Sequence, residues 1–254
     1  MKISVITACY NAATHLGATL RSIDSQTWTD HEHVVVDGGS ADLTLAVLAS
    51  HRKSTRHVVS EPDAGIYDAM NKGLARATGD VIGFLNADDM LAGPGVLAAV
   101  AEAFEADPAI DVLFGDLDYV KEDNAERVVR RWRSGEFAPG RLRRGWMPPH
   151  PTFYVRRRVV ARVGGFDTRY RISADYDFML RCLAHPGVRA HYLRELMVRM
   201  RLGGVSNSSI RNLVRKSSED LLIMRRQGVG GVWNLFAKNV RKLPQLVWRT
   251  DSTG

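Results

Sequence analysis

Asp88 and Asp89 stand side by side at the end of the apolar run Val81-Ile82-Gly83-Phe84-Leu85-Asn86-Ala87. Adjacent carboxylates repel, and the pair becomes reasonable if a divalent cation sits between them and a phosphate. The run before them is apolar enough to be buried on both faces, in the middle of a sheet. The acids then lie at its C-terminal tip, the edge at which open α/β sheets bind ligands. The competing reading is an acid pair at the N-terminus of the helix that opens near Pro94. Asp37 occupies a similar place, ending His33–Val36 and opening Asp37-Gly38-Gly39-Ser40. A carboxylate there can accept a hydrogen bond from a base imide N–H or a ribose hydroxyl, or serve only as a turn residue.

The elements that must position these acids alternate. Ile3–Ala8 reads as a strand, Ala12–Gln26 as a helix with Leu16, Leu20 and Ile23 at helical spacing, and His33–Val36 as a second strand. Ser40 or Asp42 can cap a helix carrying Leu43, Val47 and Leu48. A short strand, His57–Ser60, leads through Glu61-Pro62-Asp63-Ala64-Gly65 into a helix over Ile66–Ala77, and Val81–Leu85 is the fourth strand. This order predicts an α/β fold with a doubly wound, mostly parallel sheet. Beyond it, the pattern predicts a helix from Pro94 or Gly95 to about Ala106 and strands at Asp111–Phe114 and Thr152–Val155. Helices are expected at Arg156–Val163 and Asp175–Leu183, and a basic helical stretch from Asn207.

Composition narrows the class. The chain has 254 residues, 45% hydrophobic and 25% charged, which suits a globular domain rather than a disordered chain. No window reaches the ~20 apolar residues of a membrane span, and the N-terminus lacks the apolar core of a signal peptide. Cys9 and Cys182 are expected to be reduced and buried in a cytoplasmic protein. Strand one is followed by Ala8-Cys9-Tyr10-Asn11-Ala12-Ala13, with no G-x-G-x-x-G, which sets aside a dinucleotide oxidoreductase. No nucleic-acid reading motif accompanies the net charge of +7.

Five blocks in order resemble the family 2 glycosyltransferases with the GT-A fold: ISVITACYNA, VVVDGGSADLT, EPDAGIYDAMNKGLARATGD, LNADD and ISADYDFMLR. The resemblance covers roughly residues 2–206, and PPHPTFYV with GGFDTRYRISADYDFMLR is most similar to bacterial members that build surface polysaccharides or glycolipids. It implies a catalytic domain over 1–206, with a nucleotide-sugar half to 115 and an acceptor half over 116–206, followed by a basic helical extension over 207–254. It implies that Asp37 holds a nucleobase framed by Thr7, Ala8 and Tyr10, and that Asp63, Gly65 and Lys72 lie near the nucleotide and donor sugar. Lys72 reads equally as a solvated helix lysine. Asp89 would bind Mn²⁺ or Mg²⁺ and Asp88 the donor sugar or ribose. Asp175 would take the proton from the acceptor hydroxyl, with helix capping as its other reading. Asp177 reads as a cap or supporting acid near the acceptor, and the loop residue His150 could face the acceptor.

The chain departs from the family pattern in three places. Met70 stands where many relatives carry arginine, Ala174 replaces the usual glutamate, and the loop Arg199–Ser206 has no histidine, leaving Arg199, Arg201 or the Gly203-Gly204 backbone to meet the diphosphate. The implied function is inverting, metal-dependent transfer of a sugar from a UDP-, GDP- or dTDP-sugar to a glycan or lipid-linked hydroxyl. The alternative is an inactive nucleotide-sugar binder of the same fold. Arg130-Arg131-Trp132-Arg133 and Arg156-Arg157-Arg158 could meet a diphosphate-linked lipid or anionic headgroups. After Asn207 nine basic residues face three acids, interleaved with Leu221, Leu222, Trp233, Leu235, Phe236, Leu243, Leu246, Val247 and Trp248. That pattern fits an interfacial helix on the cytoplasmic face of a membrane, a helix packed on the catalytic domain, or an oligomer contact.

Overall fold

The computed structural model describes residues 1–203, 210–231 and 234. Its first half holds strands β1 (Ile3–Cys9), β2 (His31–Asp37), β3 (Arg56–Ser60) and β4 (Val81–Phe84), parallel and ordered β3-β2-β1-β4. Helices α1 (Ala13–Asp24), α2 (Thr44–Ser50) and α3 (Ile66–Arg76) connect them. The second half holds β5 (Met90–Leu91), α4 (Val96–Ala106), β6 (Val112–Val120), β7 (Val128–Trp132), α5 (Pro139–Leu142), β8 (Tyr154–Arg156), α6 (Arg157–Val163), α7 (Ala174–Ala184), β9 (Ala190–Arg201) and α8 (Ile210–Arg226).

The sheet continues from β4 through β8, β6 and β9 to β5, with β7 paired to β6. β8 is antiparallel to both β4 and β6, so β6 runs in the direction of β4, and β9 is parallel to β6. The C-terminal ends of β1, β2, β3, β4, β6 and β9 therefore share one edge. Residues of alternating parity on β1 feed opposite faces. Ile3, Val5 and Cys9 pack with α1, α2 and α4, while Ile6 and Ala8 pack with α3, α7 and α8. Two glycines are required by close approach. A Cβ at Gly73 would come within 2.4 Å of Ile6, and one at Gly83 within 2.4 Å of the Tyr154 ring, its partner across the strand pair.

The structure extends several expectations. The strand expected at Asp111–Phe114 runs to Val120. Gly115 and Asp116 resemble a break, but Met197 fills the space above Gly115, and Asp116 is buried with Arg133, Ser134 and Tyr192 as partners. β9 escaped the sequence because AHYLRELMVRMR has no period-two alternation and is rich in helix formers. The stretch Arg199–Arg201, expected in a loop, ends this strand.

Two basic segments have a defined place. Arg156-Arg157-Arg158 lies at the opposite edge of the sheet from the strand C-termini. Its guanidinium groups bond the carbonyls of Ile110, Phe104, Gly79 and Pro108 and the carboxylate of Asp111, so the run is structural. α8 packs on the body, one of the arrangements the sequence left open: Ile223 and Met224 have no exposed surface and join the cluster containing Phe84 and Phe178. No described helix is long and apolar enough to cross a membrane. The expectation of an interfacial helix built on Trp233 and Leu235 to Trp248, and of a Gly204 backbone contact, lies outside the described residues.

Candidate active site

At the β1–β2–β3 end of the edge, Cys9, Asp37 and Ser60 stand in register. Asp37 has no exposed surface and its carboxylate is fully engaged. Oδ2 accepts from the backbone N–H of Gly39 (3.2 Å) and Ser40 (3.1 Å) and from Ser60 Oγ (2.7 Å), while the Ser40 hydroxyl and the Cys9 thiol donate to Oδ1. Burial alone would raise its pKa, but these hydrogen bonds outweigh burial and hold it below the ordinary carboxylate value. Asp37 is thus an ionised acid that fixes the 37–40 turn. Burial, with Asp37 alongside, pushes the Cys9 thiol up to about 12, which leaves it a packing residue.

The residues around Asp37 divide. Thr7 is fully buried, with its hydroxyl 3.0 Å from His33 Nε2, and Ala8 is buried in the core, whereas Tyr10 is 64% exposed beside the turn. The start of α1 is tied to the next loop. The N–H groups of Asn11, Ala12 and Ala13 donate to Ser40 Oγ (2.8 Å), Thr44 Oγ1 (2.8 Å) and Asp42 Oδ2 (3.1 Å). Asp63 lies over Gly38, where a Cβ would meet its carboxylate at 2.2 Å. Asp63 Oδ1 accepts from Gly65 N–H, and Gly65 takes φ +123°, the positive value its position suggested. Lys72 does not point into open space. Its ammonium donates to Pro62 O at 2.7 Å and pairs with Asp68 at 3.2 Å and Glu61 at 3.5 Å, clamping the 61–65 loop. Met70 points into the core.

The β4–β9 end is different. Asp89 is also wholly buried, yet among the described residues its carboxylate receives only the Asn86 side-chain N–H at 2.8 Å and the Arg201 backbone N–H at 3.2 Å. Burial first, then the half-buried Asp88 beside it, drives its pKa well above the usual range. The backbone of the tip is fixed by Thr19 of α1, whose hydroxyl lies 2.9 Å from Ala87 O and 2.7 Å from Asp89 O. Arg201 sends its guanidinium to Glu122 O at 2.6 Å, and Arg199 pairs with Glu126 at 3.0 Å. The Nε atoms of Arg199, Arg201 and Arg130 are buried without a hydrogen-bond partner, and Arg130 lies 3.9 Å over the Tyr119 ring.

This donor set fits a hard divalent cation. Among the described residues no three His, Cys, Asp or Glu side chains converge on one point. A buried acid short of donors, with a second acid beside it, offers the one or two oxygens that Mg²⁺ or Mn²⁺ takes from protein when phosphates supply the others.

Asp175 lies in the first turn of α7 and is half-buried. The Tyr67 hydroxyl of α3 lies 2.6 Å from Ile172 O and 3.2 Å from Asp175 Oδ1. Burial, with Asp175 alongside, keeps that phenol far above its usual pKa, so it acts as a donor. Among the described residues nothing hydrogen-bonds Asp175 Oδ2. His150 is 9% exposed, stacks on Phe84 at 5.4 Å, and has no partner on Nε2. Burial lowers its pKa although Asp175 pulls the other way, so the ring is neutral. Asp177 faces away from any open surface. It is buried against Arg181 (2.7 Å), which also bonds Gly165 O.

Two positioning residues gave no sequence signal of their role. Asn71 exchanges two hydrogen bonds with the Phe166 backbone, at 2.9 and 2.8 Å, and so ties α3 to the loop before α7. Glu219 of α8 accepts from the backbone N–H of Arg171, Ile172 and Ser173. Both act through backbone 46 to 95 residues away, which local spacing does not encode.

The family model for glycosyl transferase family 2 matches residues 4–165. The chain belongs to that family. It is 35% identical over 211 residues to the PGL/p-HBAD biosynthesis glycosyltransferase of Mycobacterium bovis, covering 82% of this chain and 80% of the relative. It is 34% identical over 181 residues to an uncharacterized glycosyltransferase of Mycobacterium tuberculosis, covering 70% and 68%. Among solved structures, S. aureus TarS 1-349 in complex with UDP-GlcNAc superposes with TM-score 0.70 at 20% identity, over 90% of this chain and 66% of that one. The mannosyltransferase PcManGT from Pyrobaculum calidifontis, in complex with GDP-Man and Mn²⁺, gives 0.66 at 20% identity, over 96% and 72%. At these identities the likeness shows the fold, which is the GT-A arrangement.

Proposed function

We propose that this family 2 protein is an inverting, metal-dependent transferase. It would move a sugar from a nucleoside diphosphate sugar to a hydroxyl of a glycan or lipid-linked acceptor. The observation that carries this reading is Asp175, a half-buried carboxylate whose Oδ2 has no hydrogen-bond partner among the described residues, oriented by Tyr67 from the helix that follows the Asp63-Ala64-Gly65 loop. Names of relatives and neighbours support the substrate classes: UDP-GlcNAc and GDP-Man for the donor, and PGL/p-HBAD biosynthesis for a glycolipid acceptor.

In this reading Asp175 Oδ2 accepts the acceptor hydroxyl proton as the oxygen bonds to the anomeric carbon. The bond from that carbon to the diphosphate oxygen breaks on the opposite face, and configuration inverts. Neutral His150, stacked on Phe84, would back the acceptor side. Asp37 holds the turn under the nucleobase, Asp63 and Gly65 bring backbone to the ribose, and Asp88 meets the ribose or donor sugar. Arg199 and Arg201 add positive charge beside Asp89, where a histidine is missing. Asp89, with Asp88, would hold Mn²⁺ or Mg²⁺, which when bound supplies Lewis-acid stabilisation of the leaving diphosphate. The basic surface near Arg130 and the C-terminal segment would keep the protein at the cytoplasmic face of a membrane, close to a lipid-linked acceptor.

A thermal-shift panel of UDP-, GDP- and dTDP-sugars with and without Mn²⁺ is the first test, because a ligand bound only by the native state raises apparent stability. One nucleotide class should stabilise in a metal-dependent way. Asp175→Asn should then lower transfer by about 10²- to 10⁴-fold with the donor-induced shift intact. Near-full activity in that variant would remove Asp175 from its role.

A further inference from the structure

We propose that Glu219 is a positioning residue for Asp175, which makes α8 part of the catalytic apparatus. This inference rests on the reading of Asp175 given above. The loop Arg171-Ile172-Ser173 runs directly into α7, whose second residue is Asp175. The N–H groups of these three residues precede the helix and have no partner within it, and those of Ile172 and Ser173, being part-buried, must be met from elsewhere. Ser173 occupies the capping position but makes no side-chain capping bond, and its buried hydroxyl has no partner. The partner of the loop comes from another helix. Glu219 Oε1 accepts from Arg171 N at 3.1 Å, and Oε2 accepts from Ile172 N and Ser173 N at 3.0 Å each.

One carboxylate therefore fixes the three peptide planes that set where α7 begins. It also places a negative charge at the positive end of that helix, a favourable arrangement in itself. From the other side, Tyr67 holds Ile172 O at 2.6 Å. The donor groups of the loop are held by α8 and its carbonyl by α3, so Asp175 is set between a helix of the nucleotide-sugar half and the C-terminal helix. α8 is itself immobilised. Ile223 and Met224 are buried in the main core, and Gln227 donates to Asp177 Oδ1 at 3.3 Å.

A base displaced by a fraction of an ångström stays in place as a group but loses rate. Glu219→Ala should lower kcat about 10- to 100-fold, with donor KM within about 2-fold. Glu219→Gln keeps one accepting oxygen and should fall between Glu219→Ala and wild type. Hydrogen–deuterium exchange on the full chain without substrate should show faster exchange confined to residues 171–175 in Glu219→Ala. If wild type transfers sugar, Asp175→Asn does not, and Glu219→Ala keeps wild-type kcat, the positioning role is overturned and the function stands. If Asp175→Asn remains active, the proposed base fails instead, while the exchange data still decide whether Glu219 holds the loop. Unchanged exchange at 171–175 would overturn that hold. Should Glu219→Ala not fold, Glu219→Gln is read by the same criteria, and wild-type kcat in it overturns the role.

Discussion

Asp37 and Asp89 end parallel-running chain segments on one sheet edge, both without exposed surface, and their surroundings are opposite. Asp37 has five donors around it and a lowered pKa. Asp89 has two, a second acid beside it, and a raised pKa. A buried carboxylate with its hydrogen bonds complete is a finished piece of structure. One left short is stable only protonated or beside a cation. The contrast separates an acid complete in its own hydrogen bonds from one that a bound cation would complete.

The comparison can be broken at several points. Asp89→Asn should reduce kcat by roughly 10³-fold or more and abolish the Mn²⁺-dependent part of the donor-induced thermal shift. An Asp89→Asn enzyme that keeps its metal response would erase the distinction. Asp37→Asn should act mainly on donor binding, raising donor KM about 10-fold, and should cost about 1–2 kcal/mol of stability as charged hydrogen bonds are lost. Without metal and near neutral pH, Asp89→Asn should be at least as stable as wild type, whereas Asp37→Asn should melt lower. Equal losses in the two variants would show that both acids are structural.

The smallest effects are in the pH dependence of folding, and they have opposite signs. Asp37 has a folded pKa below its ordinary 3.8, so its contribution is present above that value and lost as pH falls through the depressed pKa. Asp89 has a folded pKa well above 3.8, so its contribution is complete below 3.8 and lost as pH rises through the raised pKa. Comparing denaturation of wild type and Asp89→Asn without metal should show the wild-type deficit growing with pH. Saturating Mn²⁺ should remove that deficit, and a flat difference would contradict the raised pKa.

The first half was legible because its signals are local. β1, β2 and β4 are short apolar runs between turn residues; Asp37 ends β2, Asp88 and Asp89 follow β4, and Asp63 follows β3. In the second half α4, β6, β8, α6 and α7 lie close to where the sequence put them, whereas β7 and β9 gave no signal. β9 carries Leu, Glu, Met and Arg without alternation, and its place was decided by pairing with β6 rather than by propensity. Side-chain roles were less legible than positions. Lys72 stood where expected on α3, but three partners in the 61–65 loop and on its own helix claim it. Glu219 looked like one of three acids in a basic tail, and only the packing of α8 on α7 brings it to Ser173.

The start of α1 carries a last consequence. Doubly wound folds often cradle a phosphate on a helix N-terminus after the first strand, where free N–H groups and the helix dipole point at the anion. Here Ser40, Thr44 and Asp42 occupy the N–H groups of Asn11, Ala12 and Ala13. That anion trap is closed by the chain itself, so on the proposed reading a diphosphate on this edge would find its counter-charge at the Asp89–Arg201 end. On the proposed reading this protein would be far more sensitive to chelators than a nucleotide-binding fold that grips phosphate with a glycine-rich loop.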